Sequence, residues 1–256
     1  MVKIGLESSV FRTIAVPMKP IRIFRHLVCH HPGYLGEYLQ RRGIPWEMVC
    51  IDENHPIPQR TDDVSALVFM GAAVSVNDDL PWVEGELQLI RKAFAEDLPV
   101  MGVCFGAQLM SRALGGTISR GKGMEIGWHP LERVEVGGAD DWLADLPLRF
   151  DAFHWHADTF SLPAASRHIL RSACFPHQGF VMGDHIGLQF HLEMTREMVE
   201  HWVERYGSDL LLESGCGQSA TSILSDLDER LAGLHRISDL IYGRWVERVL
   251  ARGELR

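Results

Sequence analysis

The sequence predicts an α/β fold, with a mostly parallel central sheet, helices on both faces and additional helices toward the carboxyl end. Strand-length apolar runs alternate with helical patterns through the first half of the chain. These runs are continuous, which is typical of parallel strands covered on both faces. After residue 195, apolar residues recur at helical spacing. Together these three observations predict the fold class.

The first half of the chain supplies four strands and three helices in alternation. The predicted strands are residues 21–24, 46–51, 66–70 and 98–103, and the predicted helices are residues 33–42, 84–95 and 107–114. Glycine ends the first helix at Gly43 and the third at Gly115-Gly116. Because binding groups in such sheets lie beyond the carboxyl ends of the strands, we expect Gly71 and Cys104 to meet there.

The second half of the chain changes character. Residues 117–190 contain short strand-like pieces with many aromatic residues and histidines, and residues 186–190 form a strand that runs into His191. From residue 195 the pattern is helical, with a break at Gly215-Cys216-Gly217. We therefore predict an N-terminal extension at residues 1–20, a main domain at 21–205, and a helical appendage at 206–256 that packs on that domain.

Composition excludes some classes of function. The chain has 256 residues and a net charge of -9, so we expect no nucleic-acid partner, because such partners require a basic face. No apolar run reaches transmembrane length and no signal peptide is recognisable, which favours a cytoplasmic protein without membrane contact. Five cysteines, at positions 29, 50, 104, 174 and 216, have irregular spacing, so we expect free thiols.

A cysteine on a sharp turn between a strand and a helix is the most informative feature. Gly102 and Gly106 lie two positions on either side of Cys104. This is the arrangement of a nucleophile elbow, with sulfur in place of a hydroxyl group. Small neighbours are needed because the backbone of the nucleophile is strained, and the following helix N-terminus favours the thiolate. Cys104 is therefore a candidate nucleophile.

A histidine and a carboxylate follow the apolar strand predicted over residues 186–190. His191 comes after this strand, and Glu193 follows two positions later. On an extended backbone these two side chains point to the same side, so Glu193 can orient His191. A cysteine nucleophile needs such an oriented base, and the order Cys104, His191, Glu193 predicts a catalytic triad.

The chain resembles the class I (triad) glutamine amidotransferases, and looks most like stand-alone proteins related to the amidotransferase domain of GMP synthase. The resemblance covers about residues 21–205 and implies a flavodoxin-like architecture. It depends on five segments in matching order: Phe69-Met70-Gly71-Ala72-Ala73-Val74-Ser75, Gly102-Val103-Cys104-Phe105-Gly106-Ala107-Gln108-Leu109, Glu125-Ile126-Gly127-Trp128, His154-Trp155-His156-Ala157-Asp158 and Gln189-Phe190-His191-Leu192-Glu193-Met194-Thr195.

The resemblance implies a role for particular residues. The Cys104 thiolate attacks the side-chain amide of glutamine, with His191 and Glu193 as its partners. Backbone N–H groups of Phe105 and of Gly71 or Ala72 form the oxyanion hole. The implied substrate-binding residues are Gln108, Trp155, His156 and Ala157. No metal or cofactor is implied.

The chain departs from the family pattern at two places. The family usually has Gly-Gly-Pro where this chain has Gly71-Ala72-Ala73, which affects the shape of the oxyanion loop more than its backbone donors. It also usually has proline at the position of Leu192, where we expect little effect.

Several alternatives accompany these predictions. Cys104 taken alone could be inert packing, Gln108 an ordinary helix residue, and Glu125 or Asp158 hydrogen-bonding scaffold. The pair His154 and His156, like the run Cys29-His30-His31, suggests metal ligands, but we favour a polar strand face and no metal.

Three functions remain open. The first is a glutamine-hydrolysing subunit that delivers ammonia to a separate synthetase subunit. The second is a hydrolase of γ-glutamyl compounds with water as acceptor, and the third is a non-catalytic binding protein, which the complete triad disfavours. We reject a cysteine hydrolase of the DJ-1/PfpI type, because those proteins place histidine directly after the nucleophile, where this chain has Phe105.

Overall fold

The computed structural model describes residues 18–134, 141–211 and 215–253. The predicted N-terminal extension lies outside these residues, apart from its last three positions. Within the described residues no helix is long and apolar enough to cross a membrane.

A single mixed sheet forms the centre of the molecule. Its described strands are β1 (Ile21–Arg25), β2 (Trp46–Cys50), β3 (Ala66–Phe69), β4 (Val100–Val103), β5 (Ile118–Arg133), β6 (Arg149–Phe160), β7 (Arg167–Arg171), β8 (Gly179–Met182), β9 (His185–Leu188) and β10 (Cys216–Gly217). The order is β10-β5-β7-β8-β9-β4-β3-β1-β2, and β6 pairs with β5 beside this path. From β2 to β9 all neighbours are parallel, whereas β9, β8, β7, β5 and β6 pair antiparallel.

Helices cover both faces of the sheet, as predicted. They are α1 (Gly33–Arg41), α2 (Val83–Ala95), α3 (Phe105–Ala113), α4 (Arg196–Arg205), α5 (Ala220–Leu224) and α6 (Leu227–Gly253). Apolar residues of α1, α4 and α6 share one buried cluster, and those of α2 and α3 share the other. The predicted α/β class with a mostly parallel core is therefore confirmed.

The strand register brings three carboxyl ends together. Phe69 of β3 pairs with Gly102 of β4, and Val103 of β4 pairs with Leu188 of β9. The segments that leave these strands begin at Met70, Cys104 and Gln189, so all three emerge at one edge of the sheet. This edge is where parallel sheets place binding groups.

Several predicted elements differ from the structure. The strand-like pieces expected within residues 117–190 include one long antiparallel pair, β5 with β6. Strand β5 continues through glycines that interrupt the side-chain pattern, although its register with β6 shifts between Arg120 and Glu125. The strand predicted over 186–190 already ends at Leu188. In addition, the segment predicted as a helical appendage contributes β10, which pairs with β5 and joins the sheet.

The cysteines also differ from the prediction of five free thiols. Cys174 and Cys216 form a disulfide, with Cα atoms 6.4 Å apart although 42 positions separate them in the chain. Their proximity depends on β10 lying alongside β5, which spacing could not reveal. Cys29, Cys50 and Cys104 are free and buried.

Candidate active site

Cys104 occupies a strained turn between β4 and α3. Its backbone has φ 51° and ψ −107°, and its N–H donates to the carbonyl oxygen of Leu188 at 2.7 Å. The flanking glycines are required by close packing. A Cβ on Gly106 would lie 1.9 Å from the carbonyl oxygen of Phe69, and a Cβ on Gly102 would lie 2.6 Å from the backbone of Gly106. The predicted elbow geometry is therefore present at this position.

The strain at Cys104 predicts an inverted order of stability between two variants. A side chain at positive φ costs about 1–3 kcal/mol, which glycine avoids. We therefore expect Cys104→Gly to be more stable than Cys104→Ala, whereas glycine is usually the less stable of the two. Urea unfolding measures the difference, and a Cys104→Gly protein less stable than Cys104→Ala would contradict the strained turn.

His191 and Glu193 form a buried pair beyond the end of β9. His191 Nδ1 lies 2.7 Å from Glu193 Oε1, and each side chain is 1 % exposed. Burial alone lowers the pKa of His191, but the Glu193 carboxylate and the Cys104 thiolate outweigh it and raise the pKa to about 10. A Cβ on Gly71 would lie 3.2 Å from His191 Cε1 and 3.7 Å from Cys104 Cβ, so the imidazole and the cysteine side chain both lie next to Gly71.

Hydrogen bonds to its backbone hold the segment that carries this pair. The segment is bent, and it is not the extended strand that we predicted. His191 N–H donates to the carbonyl oxygen of Phe153 at 2.8 Å, and Tyr34 N–H donates to the carbonyl oxygen of Glu193 at 2.9 Å. On the other side, Ser238 Oγ of α6 donates to the carbonyl oxygen of Leu192. Three elements distant in the chain therefore orient the His–Glu segment.

A cavity of about 380 Å³ opens onto Cys104. It is lined by His30, Ala72, Ala73, Val74, Ser75, Asp78, Cys104, Gln108, Arg120, Met124, Trp155, His156, Ala157, Asp158, Trp202, Tyr206 and Asp209. This volume lies within the range of small-molecule sites. The carboxylates of Asp78, Asp158 and Asp209 and the guanidinium group of Arg120 line the same cavity, a combination suited to a zwitterionic amino acid.

The four predicted substrate-binding residues all line this cavity, but their side chains have different surroundings. Gln108 Nε2 lies 3.2 Å from Gln189 Oε1, and Trp155 Nε1 donates to Asp209 Oδ2 at 3.0 Å. Both ring nitrogens of His156 lie 3.0 Å from oxygen acceptors of the protein itself. His156 therefore holds the wall of the cavity, and Ala157 forms part of its surface.

The predicted oxyanion residues lie on two sides of Cys104. Phe105 is the first residue of α3, where backbone N–H groups have no partner within their own helix. Gly71 and Ala72 follow β3, and Ala72 lines the cavity. The alanine at position 72 is accommodated in this loop, with its side chain partly buried.

Glu125, His154 and His156 form a buried cluster, and His156 also lines the cavity. Glu125 Oε2 lies 3.1 Å from His154 Nδ1 and 3.0 Å from His156 Nε2. Burial would raise the pKa of Glu125, but the neighbouring imidazoles of His154 and His156 hold it well below its ordinary value. The three ligand atoms lie within 4.8 Å of one another, a separation that could hold a metal ion. Gln178 Nε2 also donates to Glu125 Oε2, so hydrogen bonds within the protein already use this carboxylate.

Sequence reasoning assigned no role to several residues of the site, among them Gln189, His30, Tyr206 and Asp209. Gln189 Nε2 lies 3.6 Å from Cys104 Sγ, and its position two residues before His191 was the available signal. Tyr206 and Asp209, beyond the predicted main domain, line the cavity together with His30. The run Cys29-His30-His31 marked His30 only as a possible metal ligand, and no local pattern marks Tyr206 or Asp209, because the chain fold brings them to the site.

The family model for class I glutamine amidotransferases matches residues 34–204. This chain belongs to the class I glutamine amidotransferases. The structure resembles the crystal structure of a glutamine amidotransferase from Methylobacillus flagellatus, with a TM-score of 0.85, 38% identity, and coverage of 90% of this chain and 95% of the other.

Curated relatives of this amidotransferase differ in length. The glutamine amidotransferase-like protein YfeJ of Salmonella typhimurium is 28% identical over 72% of this chain and 82% of its own length. GMP synthase of Thermomicrobium roseum is 39% identical over 50% of this chain but only 23% of its own. Gamma-glutamyl peptidase 3 of Arabidopsis thaliana is 24% identical over 75% of this chain and 81% of its own. The chain thus matches less than a quarter of that GMP synthase.

Proposed function

We propose that this amidotransferase hydrolyses the side-chain amide of glutamine through Cys104 and supplies the ammonia to a separate synthetase subunit. The observation that carries the proposal is the buried His191–Glu193 pair, 2.7 Å between Nδ1 and Oε1, beside a cysteine on a strained elbow. Cys104 lines a cavity of suitable size for an amino acid. Family membership supports the same chemistry.

The reaction proceeds in two halves. The Cys104 thiolate attacks the amide carbon, and the C–N bond breaks as His191 gives its proton to the departing nitrogen, which leaves as ammonia. The γ-glutamyl thioester then reacts with water, whose proton returns to His191, and glutamate and the thiolate are released. Glu193 holds the imidazole in one tautomer and balances its positive charge.

Backbone donors stabilise the negative oxygen in both halves. The N–H group of Phe105 and that of Gly71 or Ala72 are the proposed oxyanion donors. Each such donor is typically worth about 10²–10³ in rate. The α-amino and α-carboxylate groups of the substrate are held at the cavity wall formed by Gln108, Trp155, His156 and Ala157.

A synthetase partner is proposed from what the relatives contain. The chain matches 23% of the glutamine-hydrolysing GMP synthase of Thermomicrobium roseum. By analogy with that relative, we propose that a synthetase subunit accepts the ammonia.

The second candidate function is hydrolysis of γ-glutamyl peptides. The observation that favours it is the match with a gamma-glutamyl peptidase over 81% of that protein, without a large unmatched domain. The same thioester forms from a γ-glutamyl peptide bond, and the leaving group is then an amine of the peptide.

One assay separates these functions. The purified protein is given glutamine, γ-glutamyl dipeptides or buffer alone, and glutamate and ammonia are followed. Glutamine turnover that rises when a co-purified synthetase is added supports the first function. Turnover of dipeptides without glutamine turnover supports the second, and turnover of neither contradicts both.

The raised pKa of His191 predicts the pH dependence of this activity. Because the folded pKa lies near 10, the proton needed by the leaving group stays on His191 through neutral pH and is lost only as pH rises through that value. In Glu193→Gln the carboxylate charge is gone, so the pKa of His191 falls and the alkaline limb of kcat/KM moves to lower pH. Glu200→Gln, an exposed change on nearby α4, should leave the profile unchanged. An unshifted limb in Glu193→Gln would contradict the role of that carboxylate.

A further inference from the structure

A second histidine reaches the reaction centre. His30 follows β1, is 5 % exposed, and lines the same cavity as Cys104. The ring of His30 packs on Trp202 with a centroid distance of 4.3 Å. The ring of His191 also packs on Trp202, with a centroid distance of 4.9 Å. The indole therefore sets the position of both imidazoles.

One nitrogen of His30 faces the point where the catalytic side chains meet. A Cβ placed on Gly71 would lie 3.2 Å from His30 Nδ1, 3.2 Å from His191 Cε1 and 3.7 Å from Cys104 Cβ. Nδ1 is buried, and among the described residues it has no hydrogen-bond partner. A buried polar atom left unpaired is unfavourable, so the position of Nδ1 beside Cys104 points to a partner supplied by the substrate.

The hydrogen bond made by Nε2 determines whether Nδ1 carries the proton of the neutral ring. His30 Nε2 lies 3.1 Å from the hydroxyl of Tyr206, and that hydroxyl lies 3.4 Å from Cys29 Sγ. Burial raises the pKa of Tyr206 to about 12, so the hydroxyl keeps its proton. Imidazole nitrogen accepts hydrogen bonds better than thiol sulfur, so Tyr206 donates to Nε2 and the single ring proton is on Nδ1. Burial, and then the charge of His191, hold the pKa of His30 well below its ordinary value, which keeps the ring neutral.

We propose that His30 is a further catalytic residue, whose Nδ1–H donates a hydrogen bond to the carbonyl oxygen of the scissile γ-glutamyl amide. The inference rests on the proposed function, which supplies that amide. The oxygen is the matching group because the amide nitrogen is a donor and a poor acceptor. This donor strengthens as the oxygen becomes negative, alongside the backbone N–H groups of Phe105 and Gly71 or Ala72.

Two variants distinguish the two nitrogens of His30. The amide nitrogen of asparagine occupies nearly the place of Nδ1, and that of glutamine nearly the place of Nε2. We expect His30→Asn to keep kcat within about tenfold, and His30→Gln to lose about 10²-fold, the value of one oxyanion donor. If His30 serves only to hold Tyr206, the order reverses, which would overturn the proposal, as would wild-type rates in both variants.

A labelling readout separates this inference from the proposed function. The chloroketone analogue of glutamine presents a carbonyl oxygen to the same donors, so its rate of Cys104 alkylation should follow the same order. Iodoacetamide reports the thiolate alone and should label all three proteins within about threefold, since one neutral hydrogen bond is all that changes. If the chloroketone labelling rates follow this order but neither glutamine nor dipeptides are hydrolysed, the proposed function is wrong and His30 remains the donor. If the substrates are hydrolysed but both His30 variants are labelled by the chloroketone at equal rates, only the donor role of His30 is wrong.

A third variant applies if neither His30 substitution folds. Tyr206→Phe leaves the ring of His30 in place but removes the hydroxyl that fixes its proton on Nδ1. We expect chloroketone labelling to slow about fivefold, the scale of one hydrogen bond. An unchanged rate in Tyr206→Phe would overturn the tautomer argument and the proposal with it.

Discussion

Replacement of Cys104 by alanine is expected to abolish measurable turnover of glutamine and of γ-glutamyl dipeptides, a loss of at least about 10⁴-fold in kcat. Loss of a nucleophile that acts together with its base costs about 10⁶ in other hydrolases, and the remaining groups can still bind the substrate. The KM of any residual activity should change little, because binding uses the cavity wall. Release of glutamate and ammonia, measured separately, gives the result.

The matched control is Cys50→Ala. Cys50 is also a buried free thiol, but it lies at the end of β2, away from the cavity. We expect this variant to keep wild-type kcat and to unfold slightly more easily. Turnover that survives in Cys104→Ala at the level of Cys50→Ala would show that the cysteine elbow is not the reacting group.

Gly106→Ala is expected to destabilise the fold by about 3 kcal/mol or more. The added Cβ would lie 1.9 Å from the carbonyl oxygen of Phe69 and 2.6 Å from its carbonyl carbon. Both atoms are backbone in β3, at the centre of the parallel strands, so neither can move without displacing the sheet. Overpacking of this kind exceeds what a flexible side chain can relieve. Chemical denaturation monitored by circular dichroism measures the change.

Gly233→Ala is the control for Gly106→Ala. Gly233 also lies in a helix, α6, and the nearest atom to an added Cβ is Arg236 Nη2 at 3.8 Å. There the same substitution should stabilise the protein by about 0.5–1 kcal/mol, because alanine restricts the unfolded chain and favours the helix. Equal effects at the two glycines would contradict the close approach of α3 to β3.

Much of the site was predictable because its motifs are local. The glycines around Cys104 are needed by steric contacts within a few residues and neighbouring backbone, so they are visible as a pattern. His191 and Glu193 are two positions apart, and their contact requires only that short segment. The alternation of apolar strands and helices predicted that Gly71 and Cys104 lie at one edge of the sheet, and the parallel register of β3 with β4 agrees with this.

Other features were hidden because their causes lie far apart in the chain. The run Cys29-His30-His31 suggested adjacent metal ligands, yet the structure directs His30 toward Gly71 and pairs it with Tyr206, 176 positions later. The disulfide between Cys174 and Cys216 depends on β10 joining β5. The pairing of β5 with β6 depends on backbone hydrogen bonds, which side-chain periodicity does not record.

The sequence by itself determined the α/β class, the family and the candidate triad, since each depends on short-range patterns in fixed order. Only the tertiary structure decided which side chains surround Cys104. Tyr206 and Asp209 reach the cavity through the turn after α4, and α6 supports the His–Glu segment through Ser238. The physical reason is that packing and long-range hydrogen bonds, unlike helix and strand periods, bring together residues with no relation in sequence.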